Sequence, residues 1–271
     1  MMYATGRKQD DLTFRRRAAA QQNFSDWHRG GTRLVQAASI MQPVSYLMDQ
    51  AQKPSCVGKS YQGRLNALLG VDPSGVGLWT LARALEGNLS DPMQGTTPQA
   101  AINVLLNHGW GPSHPADDMR PVSEDLQLPT IDDELAAFDV QLPKAVAHYV
   151  CTGTDAQIQN AVIDALARTS STGKFSYAVS FGTGVLAPYE EPPPDTVLDE
   201  TYLSPHSDAG HEQGILGYFA DRDAFLIQGS WGKWTWCNVI INNKKKRLDG
   251  CCLVSRAVVS HAWAVDVLQV Q

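Results

Sequence analysis

No stretch of the chain approaches the roughly 18 consecutive apolar residues that a membrane helix requires, so no membrane partner is expected. Residues 1–22 are polar and basic and hold no apolar run, so no secretory signal peptide is expected. Cysteine is scarce: Cys56, Cys151, Cys237, Cys251 and Cys252 are the five, an odd number with no pair at C-x-x-C spacing. That argues against a zinc site, and no metal or other cofactor is expected. It also argues against a disulfide framework, which suits a reducing compartment. Charge of either sign is modest. Charged residues make up 18% of the chain and the net charge is -6, which gives no support for nucleic acid as a partner. The runs Arg15-Arg16-Arg17 and Lys244-Lys245-Lys246-Arg247 are local and read as solvated faces or turns. No internal repeat is visible.

What is present suffices for a folded core. Of 271 residues, 43% are apolar, enough for one large domain or two small ones. Residues 1–40 read as an Arg- and Gln-rich extension with a break at Gly30-Gly31. Residues 41–271 read as the folded domain. A helix is predicted from Pro54-Ser55, with Ser55 as N-cap, to Gly70. Val57, Tyr61, Leu65 and Leu68 fall on one apolar stripe. A second helix is predicted over 75–87, with Leu78, Leu81, Ala82 and Leu85 apolar. A third opens at Thr97-Pro98 and ends at Gly109. Residues 110–145 are Pro- and Asp-rich and read as irregular. Residues 154–168 return to a helical pattern.

After residue 175 the pattern shifts to short strand-like runs at 177–181, 214–218, 224–227 and 253–254. Gly182, Gly184, Pro188 and Pro192 to Pro194 punctuate them. Adjacent Cys251 and Cys252 are expected to alternate faces of a strand, one of them in the core. Helices in the first half and strands in the second predict an α+β protein with two lobes, about 41–145 and 146–271.

Three distant segments carry candidate chemistry. In Gln50-Ala51-Gln52-Lys53-Pro54-Ser55-Cys56, a Gln stands six residues before a Cys that opens a helix. A thiol in the first helical turn feels the positive end of the macrodipole, which favours thiolate. The Cys56 N–H is unpaired by helix geometry. With the Gln50 amide it would make a two-donor oxyanion hole. His211, 155 positions after Cys56, heads the run His211-Glu212-Gln213-Gly214-Ile215-Leu216-Gly217-Tyr218. An imidazole fixed at a strand end is suited to take a thiol proton. The third segment is Gln228-Gly229-Ser230-Trp231-Gly232. Taken singly, Cys56 also reads as a small buried hydrophobe, His211 as a satisfied core histidine and Trp231 as a core aromatic.

Together these segments resemble the papain-like cysteine peptidase family, in a bacterial or phage-type member. The tail from Cys251 to Ala257, followed by Trp263-Ala264-Val265, is similar to the closing strand of such relatives. The resemblance implies a helical N-terminal lobe and an antiparallel β-sheet or barrel C-terminal lobe. It implies Cys56 as nucleophile, His211 as base and Gln50 as oxyanion donor, supported by Ser230 and Trp231. The substrate would be a peptide or isopeptide in a protein, and the location cytoplasmic or virion-associated.

The main departure is Gly229, where the family has an Asn that orients the imidazole. Gln228, Asp208, Asn238 or a water would have to substitute, and restoring Asn at 229 would be expected to raise activity. Val57 also replaces the aromatic residue common after the nucleophile. Asp26-Trp27 is similar to the start of a mature enzyme. The departure at 229 keeps an alternative open: an inactive descendant serving as a structural or binding part of a larger assembly, such as a phage particle. A cell-wall amidase or acyltransferase built on a Cys–His pair is a second alternative.

Overall fold

A computed structural model describes residues 39–270 other than 115, 116, 118, 141–144, 242 and 243. The Arg15–Arg17 run, Asp26-Trp27 and the Gly30-Gly31 break lie outside the described residues.

The first half folds as helices because apolar residues recur at helical spacing between strong end signals. Helix α1 (Cys56–Leu69) stops at Gly70, whose φ of 70° suits a residue without Cβ. Its stripe Val57, Tyr61, Leu65 and Leu68 is buried as expected, each side chain contributing about 1.5–3 kcal/mol. Helix α2 (Gly75–Leu85) is capped by the Ser74 hydroxyl, which accepts from the Gly77 N–H. Leu85, expected in the apolar stripe, is 56% exposed at the end of the helix, while Ala82 and Arg83 of the same turn stay buried. Helix α3 (Pro98–Asn107) is capped by Thr97, with Pro98 in the first turn.

The stretch read as irregular is the clearest correction. It holds α4 (Val122–Asp125) and α5 (Leu128–Val140). α5 does carry an apolar stripe, Ile131, Leu135 and Phe138, which packs in the α1 cluster, but Pro129 and the acidic residues between mask it in the sequence. α4 instead forms around Asp125, whose carboxylate is fully buried in an ion-pair cluster.

The second half is built on one large sheet. Its strands are β1 (Ile40–Met41), β2 (Ala145–Val150), β3 (Tyr177–Val185), β4 (Val197–Leu198), β5 (Leu203–Ser204), β6 (Gly210–Phe219), β7 (Ala224–Gln228), β10 (Cys251–Ser255) and β11 (Ala264–Val270). The order is β2-β11-β3-β6-β7-β10-β4, with β1 added on β6 and β5 on β3. All pairings are antiparallel except β10 with β4. Among the described residues the sheet is open: β2 and β4 end the order and do not pair, so it is not a closed barrel. Helix α6 (Asp155–Ala167), opened by a Thr154–Gln157 capping box, and α7 (Arg256–Ser260) pack on one face. Helix α1 lies on the other, with Ala178 and Leu268 of the sheet in its apolar cluster.

A separate two-stranded ribbon, β8 (Trp236–Ile241) and β9 (Lys244–Asp249), packs Cys237, Val239 and Leu248 against Leu216, Leu226 and Leu253. Lys244 to Arg247 form an exposed strand face, as the charge run suggested. None of the five cysteines forms a disulfide, and all are buried. Cys251 and Cys252 do alternate on β10, but both enter cores. Cys252 faces the α6 side, while Cys251 faces the ribbon.

Candidate active site

α1 crosses β6 at Gly214. A Cβ there would meet the Arg64 side chain at 2.7 Å, and Ser60 lies just beyond. Further along α1, the Arg64 guanidinium donates to the Gln42 side chain, and the Gln42 N–H bonds the Leu216 carbonyl at 2.8 Å. Helix and strand therefore advance in the same direction. Their beginnings, Cys56 one turn before Ser60 and His211 three residues before Gly214, lie at the same end of the sheet. Alternation along β6 turns Gly214 towards α1 and turns His211 and Gln213 towards Tyr189 and Trp231.

Gln50 is brought to this end by backbone pairing. Asp49 forms an antiparallel bridge with Trp231, and the Gln50 N–H bonds the Ser230 carbonyl at 2.7 Å. The Ser230 hydroxyl donates to Gln50 Oε1 at 2.6 Å, and Gln50 Nε2 donates to the Lys53 carbonyl at 2.9 Å. Trp231 in turn lies over His211, ring centroids 4.4 Å apart. Segments separated by some 180 residues, Gln50 and Ser230-Trp231, thus meet beside His211.

Cys56 opens α1 and is fully buried, with Val57 and Tyr61 as neighbours in the helical cluster. Ser55 occupies the N-cap position, but at ψ 20° its side chain makes no cap hydrogen bond. The expected cap is therefore positional only, and the first-turn N–H groups have no side-chain acceptor from Ser55. His211 is also fully buried, and neither ring nitrogen has a hydrogen-bond partner among the described residues. Burial pushes its pKa down to about 3, so the ring is neutral at pH 7. Burial therefore favours a neutral imidazole over a resting thiolate–imidazolium pair.

Gly229 has no spare room. A Cβ built there would sit 2.9 Å from Trp234 Nε1 and 3.2 Å from two carbons of the same ring. Trp234 fills the space that an Asn side chain would enter. None of the three side chains considered from sequence, Gln228, Asp208 and Asn238, hydrogen-bonds the imidazole. Gln228 accepts from the Ser45 hydroxyl and donates to the Tyr46 carbonyl. Asn238 donates to Asp195, and Asp208 is exposed.

Two groups near the site escaped sequence reasoning. Tyr189, in a 3-10 turn at Ala187–Glu190, is fully buried and donates its hydroxyl to Gln213 Oε1. Its ring stands 5.5 Å from Trp231 and 4.6 Å from Trp234. These three aromatics wall the His211 side. Lys53, between Gln50 and Cys56, is buried against Asp125 at 2.5 Å. Only its place between the two candidates pointed to it. Among the described residues no cluster of His, Cys, Asp and Glu is arranged to hold a metal ion.

No family model matches the chain, and no curated protein matches it by sequence. Solved structures do match. Xylellain, a cysteine protease from Xylella fastidiosa, is 16% identical with a TM-score of 0.63, covering 99% of this chain and 96% of its own. Procathepsin L 3 of the Tenebrio molitor larval midgut is 17% identical with a TM-score of 0.60, covering 86% and 70%. ProCathepsin B S9 from Trypanosoma congolense is 12% identical with a TM-score of 0.59, covering 98% and 86%. The chain therefore has the papain-like α+β fold.

Proposed function

We propose that this chain is a papain-like thiol peptidase that cleaves peptide or isopeptide bonds in proteins. Cys56 is the nucleophile, His211 the base and Gln50 the oxyanion donor. The observation that carries the reading is the docking of Asp49-Gln50 onto Ser230-Trp231 while Trp231 covers His211. That contact gathers at one end of the sheet the segments in which the sequence has its candidate chemistry.

His211 takes the Cys56 proton as the sulfur attacks the substrate carbonyl. The negative oxygen is held by the Cys56 N–H and the Gln50 amide. The His211 proton passes to the departing amine. Water, deprotonated by His211, then releases the acyl group and restores the thiol. Water or substrate reaching the His211 ring relieves the desolvation that lowers its pKa and so raises its basicity. That none of the five cysteines forms a disulfide supports action in a reducing compartment.

A second reading, a catalytically weakened member serving as a binding part of a larger assembly, is favoured by one observation: Trp234 fills the space beside Gly229. Mass spectrometry after treatment with an epoxide-type thiol inhibitor separates the two. A single adduct on Cys56 is expected of the peptidase. Absence of any adduct on Cys56 in folded protein selects the weakened member.

A further inference from the structure

We propose that Lys53 is a positioning residue that aims the Gln50 amide, acting through a buried ion-pair cluster anchored on α4. The inference rests on the reading of Gln50 as oxyanion donor.

The turn from Gln50 to Lys53 is closed on both sides by Lys53 itself. Its N–H bonds the Gln50 carbonyl at 2.9 Å, and its carbonyl receives Gln50 Nε2 at 2.9 Å. A primary amide is planar. With Oε1 held by the Ser230 hydroxyl and one N–H held by the Lys53 carbonyl, the direction of the other N–H is set. The Lys53 backbone is thus one of the points that fix where Gln50 donates. The turn is strained as well: Ala51, which is not glycine, sits at φ 48°, held by its N–H to Asp49 Oδ1 at 2.8 Å.

What holds the Lys53 backbone is its side chain. The ammonium is buried, and a buried charge is stable only when paired. It donates to Asp125 Oδ2 at 2.5 Å and to the Asp117 carbonyl. Asp125 also takes Arg120 at 3.2 Å, and Asp117 takes Arg120 at 3.3 Å. Asp117 accepts the Ser74 hydroxyl at 2.8 Å, the same hydroxyl that caps α2. Glu134 of α5 lies 3.7 Å from Arg120. The cluster ties Lys53 to α2, α4 and α5, so the position of those helices is transmitted to Gln50.

The test compares wild type with Lys53→Met and with Lys53→Met/Asp125→Leu. The double variant removes both buried charges and so avoids an orphaned carboxylate that would unfold the chain. Three quantities are read: peptide turnover, the rate of Cys56 alkylation by iodoacetamide, and the 15N side-chain amide signal and exchange rate of Gln50. Alkylation needs the thiol and its base but no oxyanion donor. The expected result is a roughly 10- to 100-fold drop in kcat with KM little changed, within the loss seen for one oxyanion donor. Alkylation stays within about threefold, the scale of a small context effect. The Gln50 amide signal moves and its exchange quickens.

In a Gln50→Ala background, Lys53→Met is expected to add no further loss of turnover. An unchanged kcat, or an equal loss with and without Gln50, overturns the proposal. If wild type turns over no peptide, the peptidase reading fails. The Gln50 amide then decides the inference alone, and an unmoved signal in the folded double variant overturns it.

Discussion

The hydroxyl of Ser230 donates to the amide oxygen of Gln50 at 2.6 Å across 180 residues of sequence. Both side chains are almost fully buried, so this bond is shielded from water and decides how Gln50 is held.

Ser230→Ala removes that donor and leaves the Gln50 oxygen buried without it. A stability loss of about 1–3 kcal/mol is expected, measured by urea unfolding. The accompanying kcat for a model peptide should fall, because the amide gains rotational freedom.

Gly229→Asn is expected not to restore a family-type triad but to overpack Trp234, at about 1–3 kcal/mol of stability. A double-mutant cycle with Trp234→Ala checks this. The cost of Asn at 229 should shrink when the indole is absent. An equal cost in both backgrounds would remove Trp234 from the explanation.

Glu134 provides a pH dependence. Burial, then Asp117, raises its carboxyl to about 7 from 4.5, against the opposing pull of Arg120. Folded protein therefore binds this proton more tightly than unfolded protein does. Stability falls as pH rises from about 4.5 through 7, by on the order of 2–3 kcal/mol. Glu134→Gln should be more stable than wild type at pH 8 and nearly equal to it at pH 4.5, as read by unfolding at both pH values.

His261 bridges Glu200 at 2.5 Å and Asp155 at 3.0 Å, joining the end of α7 to the start of α6. Hydrogen bonds to Glu200 and then Asp155 raise its pKa above 6.5. The imidazolium thus contributes stability that is complete below pH 6.5 and lost as pH rises through the raised value. His261→Gln should lower stability at pH 5.5 and leave it little changed at pH 9, by the same unfolding measurement.

Much of the fold was legible because local chemistry agreed with it. Thr97-Pro98 opens α3, Gly70 ends α1, and the short strand-like runs at 177–181, 214–218, 224–227 and 253–254 lie in β3, β6, β7 and β10. What escaped depends on contacts distant in sequence. α4 forms around the Asp125 charge satisfied by Lys53 and Arg120, and such pairs leave no periodic pattern. Gly229 announced a missing side chain, but only the fold places Trp234 in its space. The Gln50 and Trp231 segments were each visible as motifs. Their pairing was not, since nothing local joins Asp49 to Trp231.

The account depends on one coupling: the sulfur that opens α1 must be activated by the imidazole that heads β6. The measurement is the iodoacetamide alkylation rate at Cys56, followed by peptide mapping from pH 5 to 9, in wild type and His211→Gln. Wild type is predicted to label faster at pH 7, by about tenfold or more if His211 acts as general base, with the advantage shrinking towards pH 9. Equal rates across the range in two folded proteins would contradict the account.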